Sequence, residues 1–143
     1  MQQVDFYILH MQAEYSRERF VCRLVDTIWH QGYRVYIQVS SLEKAHNLDN
    51  LLWVFKQDSF IPHDIYPDVS NSLAAVRIGY GTEMCPEMNV LVNLTNEMPP
   101  FHTQCQRIAE IIESTPTTLE KGRERFRIYR DQGNTLKYHD INV

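Results

Sequence analysis

The sequence predicts an α/β protein: one open, mostly parallel sheet flanked by helices, in a single domain over residues 1–143. Three observations lead there. Short apolar runs alternate with longer stretches of helical period, in the order β-α-β-α, then strands, then helix. The first strand–helix–strand unit returns the chain in its original direction, which makes a parallel pair with an expected right-handed crossover. With 143 residues, 43% hydrophobic and 22% charged, the chain has enough apolar matter for one core of its own.

Val4-Asp5-Phe6-Tyr7-Ile8-Leu9 reads as a buried strand. From Ser16 onward Phe20, Val21, Leu24, Val25, Ile28 and Trp29 form one wide stripe at helical period, stopped by Gly32. Arg34 to Val39 is β-branched and aromatic, a second strand. Ser40 with Glu43 has the form of a capping box, and Leu42, Ala45, Leu48, Leu51, Leu52 and Phe55 continue a helix that hands over to loop near Lys56. Residues 56–74, with Pro62, Pro67 and Asn71, read as loop. Ala74 to Ile78 and Asn89 to Leu94 read as strands, and Phe101 to Ile112 as either a helix or a helix turning into a strand at Ile108. Thr117 with Glu120 has the capping-box form again, so Thr118 to Gln132 is expected to be helical, with Gly133 as its C-terminal cap.

Several kinds of chemistry are absent from this pattern. The first β-to-α turn, His10-Met11-Gln12-Ala13-Glu14-Tyr15-Ser16, has no glycine, and neither G-x-x-x-x-G-K-[ST] nor G-x-G-x-x-G occurs. Gly79-Tyr80-Gly81 lies between two strands and reads as a turn. No nucleotide or other cofactor is therefore expected. Ser59, His63 and Asp64 are near one another but lack a nucleophile elbow, so His63 is expected to be a loop histidine bonded to backbone, as are His30 and His102. The six histidines are scattered, without metal-ligand spacing, and no metal is expected. Cys22, Cys85 and Cys105 are far apart, which fits reduced thiols. The start of the chain has neither a basic nor an apolar leader region and no run spans a membrane, so a cytoplasmic protein is expected.

Two clusters stand out. Residues 120–130 hold five Lys/Arg against two Glu, net +3, in a chain whose formal charge is -4. On a helix Arg123, Arg127 and Arg130 fall one above another with Phe126 beside the row. Such a row suits a ligand with several carboxylates and an apolar end, because guanidinium grips carboxylate bidentately and a ring packs on Phe126. An acidic peptide tail fits better than DNA, for which one short ridge on an acidic chain offers few phosphate contacts. The alternative is a solvated basic face with Leu119, Phe126 and Tyr129 turned inward. The second cluster is Leu51-Leu52-Trp53-Val54-Phe55 followed by Phe60-Ile61-Pro62-His63, either a protein interface or core packing under a long loop.

Asp5-Phe6-Tyr7-Ile8-Leu9, Ser59-Phe60-Ile61-Pro62-His63 after Leu52-Trp53, and Arg123-Glu-Arg125-Phe126-Arg127-Ile-Tyr129-Arg130 together resemble the chi subunit of bacterial DNA polymerase III. The likeness covers most of the chain and is weaker across residues 64–88 and 95–116. It implies a small Rossmann-like accessory subunit of the replicative holoenzyme, without catalytic activity or cofactor. It also implies two partners: the psi subunit, in a heterodimer tied to the clamp loader, and the acidic C-terminal tail of the single-stranded-DNA-binding protein. Nucleic acid would then be contacted only indirectly, and no small-molecule substrate or membrane is involved. By the resemblance, Trp53, Phe60, Ile61 and Pro62 face psi, while Arg123, Phe126, Arg127 and Arg130 form the tail pocket with Ile112 as an apolar wall. The family's aromatic at Phe126 is commonly tyrosine, and its basic residue a turn before Arg123 is here Leu119, with Lys121 nearby. The competing readings are a degenerate Rossmann-type enzyme and a direct binder of single-stranded nucleic acid.

Overall fold

Strands buried on both faces are mostly apolar, and the centre of this sheet follows that except for buried Gln38, Arg77 and Asn93. The computed structural model describes residues 2–10, 16–57, 60–68 and 72–143. Its strands are β1 (Gln3–His10), β2 (Val35–Gln38), β3 (His63–Tyr66), β4 (Val76–Gly79), β5 (Val90–Asn93), β6 (Arg107–Glu113) and β7 (Thr135–Asn142). Its helices are α1 (Ser16–His30), α2 (Leu42–Val54) and α3 (Pro116–Asp131). They form one sheet in the order β3-β4-β2-β5-β6-β1-β7, and each adjacent pair is parallel. All four residues of β2, β4 and β5 are buried, as expected where both faces are covered.

Two cores lie on opposite faces. Tyr7, Leu9, Ile37, Val92 and Ile111 pack under Val21, Val25 and Ile28 of α1 and Leu48 and Leu52 of α2. Val4, Phe6, Tyr36, Leu91, Ile108 and Ile112 pack under Tyr129 of α3 and under the loops that carry Met88, Phe101 and Cys105. The alternation along β1 and β6 assigns even-numbered residues to the α3 face.

That face holds a buried polar network. Glu110 of β6 is fully buried; Tyr129 donates to its Oε2 at 2.8 Å, Asn93 Nδ2 to its Oε1 at 3.0 Å, and Arg125 Nε lies 3.3 Å from Oε1. Arg125 also donates from Nη1 to the carbonyl of Asn96 at 2.7 Å, tying α3 to the loop after β5. Burial pushes the Glu110 carboxyl upward, opposed by the Arg125 charge and then by the Tyr129 and Asn93 hydrogen bonds.

Several expectations are corrected. The stretch 56–74 is not loop throughout, since His63–Tyr66 pairs with β4 in register His63↔Val76. It is a four-residue edge strand between Pro62 and Pro67, and polar His63 and Asp64 break its apolar run. Thr135–Asn142, for which no element was expected, is the opposite edge strand. The Phe101–Ile112 stretch resolves into a 3-10 turn at His102–Gln104 and strand β6. Both caps shift: Ser41, not Ser40, accepts from Lys44 N–H at 3.2 Å, and Thr115 with Thr118, not Thr117 with Glu120, forms the box at α3, with Pro116 opening the helix. Gly32 and Gly133 end α1 and α3 at φ of +91° and +82°, conformations that favour glycine.

Removing Arg125 while leaving Glu110 buried strands a carboxylate, so Arg125→Met is expected to lower stability by about 3–5 kcal/mol. Adding Glu110→Gln should restore much of that loss. Urea unfolding of the two variants checks this, and equal midpoints would show that the pair does not hold α3.

Candidate functional site

Helix α3 leaves β6 at its C-terminal end and returns to the start of β7, so it runs antiparallel to the strands. Its inner face carries Gly122, Arg125 and Tyr129. A Cβ at Gly122 would come within 2.6 Å of Ile112 Cδ1, so glycine lets helix and sheet close at that point. On the flank towards β7 lie Leu119 and Phe126, half-buried, and Phe126 packs on Phe6 at 5.2 Å between ring centres. Beneath this flank a cavity of about 310 Å³ opens. Its floor is Phe6 and Ile8, its walls Ile112, Leu119, Gly122, Phe126 and Tyr138, and its rim His10, Ser114, Arg123 and Asp140. The Tyr138 hydroxyl donates to Asp140 at 2.6 Å and His10 Nε2 lies 3.0 Å from the other oxygen. These contacts, the tyrosine's first, hold the Asp140 carboxyl below its ordinary range.

Among the residues expected to form a tail pocket, Ile112, Arg123 and Phe126 do line this cavity, whereas Arg127 and Arg130 stand exposed further along α3. The three arginines form a ridge that starts at the cavity and runs towards the N-terminal ends of the strands. Phe126 is both half-packed against the core and open to the cavity. Tyr129 is wholly core, and Arg125 is turned into the core by Glu110. Sequence reasoning missed Phe6, Ile8, His10, Ser114, Gly122, Tyr138 and Asp140. Gly122 was the available signal, since a glycine inside a helix marks close approach.

The second surface is at the other end of the sheet and on its other face. Trp53 is 53% exposed and Phe60 76%, with Val54 and Pro62 also exposed. Trp53 leans on the His63 ring at 4.5 Å. Ile61, assigned to the same surface, is 1% exposed and sits in the core beneath it. The patch continues into a groove between α1 and α2 lined by Arg19, Asn50 and Leu51.

The remaining candidates do not converge. His63 places Nδ1 2.7 Å from the Ile61 carbonyl and Nε2 3.0 Å from that of Asp49, in β3 rather than in a loop. Asp64 is held by Arg77 at 2.6 Å and by Ser72, and Ser59 lies outside the described residues. His30 and His102 bond the carbonyls of Asp26 and Pro99. Gly79 closes β4 under Tyr36, whose hydroxyl would meet a Cβ there. Residues 11–15 of the first β-to-α turn are outside the described residues. All three cysteines are buried and free, and burial pushes Cys22 up to about 12 and Cys105 to about 11. Among the described residues no cluster of three or more His, Cys, Asp or Glu could hold a metal, and no helix is long and apolar enough to cross a membrane.

The family model "DNA polymerase III chi subunit, HolC" matches residues 1–137. The chain belongs to the DNA polymerase III chi subunit family. The chi subunit of Pseudomonas aeruginosa is 34% identical over 99% of this chain and 98% of its own. That of Haemophilus influenzae is 26% identical, covering 96% of each, and that of Escherichia coli 25% identical, covering 95% and 96%. Among solved structures, T4 UvsW matches with a TM-score of 0.67 at 7% identity over 99% of this chain and 41% of its own. Saccharomyces cerevisiae Dbp5, solved with RNA and ADP BeF3, matches at 0.58 and 11% identity, covering 97% and 41%. These two likenesses show the α/β fold alone. Family membership makes the chain an accessory subunit of the replication machinery.

Burial separates the rings of the second patch from their support. Ile61→Ala is expected to cost about 2–5 kcal/mol, as buried isoleucines do, while Phe60→Ala stays within about 0.5 kcal/mol. Urea midpoints decide it, and comparable losses would place Phe60 in the core.

Proposed function

We propose that this chi-family protein is a non-catalytic adaptor that joins psi, and through it the clamp loader, to the acidic C-terminal tail of the single-stranded-DNA-binding protein. The observation that carries this reading is an apolar cavity with a row of guanidinium groups leading away from it. A terminal ring fits the first, and carboxylates upstream fit the second. Asp140, ionised on the same rim as Arg123, disfavours a carboxylate on its own side of the cavity mouth.

The exposed Trp53 and Phe60 suit psi, since aromatic anchors with polar surroundings are typical interface composition. Ile61 acts from below by holding Phe60 and Pro62 outward. The two surfaces are separated by the width of the sheet, six strand spacings or about 29 Å. Both partners can therefore be held at once, as an adaptor requires.

Two outcomes are expected. In calorimetric titration of a peptide ending in several aspartates and a phenylalanine, Arg127→Ala should weaken binding about tenfold or more, consistent with about 1.5–3 kcal/mol for a charge-assisted bond. Added salt should weaken it further, and removal of the terminal phenylalanine should abolish most of it. Equal affinity for wild type, Arg127→Ala and Phe126→Ala, with folding checked by circular dichroism, would sink the pocket assignment. Separately, the double variant Trp53→Ala, Phe60→Ala should lose about 2 kcal/mol or more of affinity for psi; undiminished co-purification with psi would move that interface elsewhere.

A further inference from the structure

We propose that the free edge of β7 is a strand-docking surface, on which an extended acidic peptide anchored in the cavity adds as an eighth, parallel strand. The inference rests on the tail-binding reading and extends it from the peptide's end group to its backbone.

The ladder between β7 and β1 begins with Thr135 N–H donating to the Gln2 carbonyl at 3.0 Å and ends with Val143 N–H donating to that of His10 at 3.2 Å. The register between them is unbroken. In a parallel ladder every second residue serves a given neighbour, so 135, 137, 139, 141 and 143 bond β1. The backbone N–H and C=O groups of Leu136, Tyr138, Asp140 and Asn142 then point away from the sheet. Among the described residues no strand pairs with that side. An eight-residue edge without proline is an open template, blunted only by the charges of Lys137 and Asp140.

Charge says what fits the template. Tyr138 and Asp140 present their side chains on the α3 face, where they border the cavity. Arg123 lines the cavity, and helical spacing puts Arg130 on the same side of α3 and Arg127 beside them on its solvent-facing side. Arg123 and Arg127 have no ion-pair partner among the described residues, and Arg130 only the exposed Asp131 at 3.4 Å. On the opposite face of the same strand, Lys137 is exposed. A strand added here alternates its side chains between the arginine side of α3 and the Lys137 side, so an acidic run meets positive charge on both faces, and Asp140 beside the cavity favours the ligand's apolar end there. The direction follows from the cavity, which lies towards the C-terminal ends of β1, β6 and β7, with the ridge extending back from it. A peptide with its C-terminal ring in the cavity therefore runs parallel to β7.

The test is amide hydrogen exchange followed by NMR, with and without a synthetic peptide bearing an acidic run and a C-terminal phenylalanine, together with titrations of peptides N-methylated at successive backbone positions. Exchange at Leu136, Tyr138 and Asp140 should slow at least tenfold on binding, while Lys137, His139 and Ile141 are already slow without peptide. N-methylation should weaken binding several-fold at alternate positions only. A peptide that binds through its terminal ring but leaves those amides unchanged overturns the strand and leaves the tail-binding reading standing. Absence of any binding overturns both. Protection that appears without peptide and grows with protein concentration assigns the edge to a second copy of the chain and overturns the proposal.

Discussion

Glu110 sits in the middle of β6 with no exposure, where an unpaired carboxylate would cost several kcal/mol, so Arg125 and Tyr129 must come to it and bring α3 with them. That one requirement fixes the rotation of the helix. With Arg125 and Tyr129 inward, Gly122 falls opposite Ile112, Phe126 lands on Phe6, Arg123 reaches the cavity, and Arg127 and Arg130 are left exposed. A turn of the helix by one residue would bury an arginine of the ridge and pull Phe126 away from the cavity. The cavity and the exposed arginines beside it are thus a by-product of how a buried charge is satisfied.

The rest of the architecture decides where partners can meet the molecule. An all-parallel sheet has its interior strands covered on both faces, so contact with other chains is confined to helices, loops and the two edges. Here the edges are unlike. Strand β3 is four residues long, bounded by prolines, and borders an exposed aromatic patch on the α2 side. Strand β7 is twice that length and borders an arginine ridge on the α3 side. The exposed aromatic patch and the arginine ridge are thereby separated by the full sheet.

The interior of this fold was readable in the sequence because burial there follows period. The α1 stripe, the apolar runs of β2 and β5 and the C-terminal glycines occupy the positions that their chemistry requires. The edges were not readable, for a matching reason. His63-Asp64 in β3 and Lys137-Tyr-His-Asp140 in β7 are held by backbone pairing on one side only, so neither an apolar run nor a one-faced alternation marks them. The ridge was legible as Arg123, Arg127 and Arg130 because helical spacing puts them in a row. The cavity was not, because Phe6, Ile8, His10, Tyr138 and Asp140 of its lining come from β1 and β7, which are joined in space by a register that no local pattern announces. Arg125 shows the limit most clearly: counted in the basic charge of residues 120–130, it belongs to the core because of a glutamate fifteen residues earlier.

The origin of the cavity lies in the strand order. To pass from β6 to β7 the chain crosses β1, so a single helix has to cover three strands, a width of about 14 Å, with a cylinder of about 10 Å. Helix α1 cannot help, because β1 feeds it to the opposite face. Glu110 draws α3 towards β5 and β6, through Arg125 and the Asn96 carbonyl, and the uncovered width is therefore left on the β1–β7 side. Phe6, Ile8 and Tyr138 form its floor and far wall because they are the α3-facing residues of those two strands. An apolar depression bounded by the helix on one side and an open strand on the other is thus the necessary result of a buried carboxylate on β6 combined with a crossover that ends at the sheet's edge.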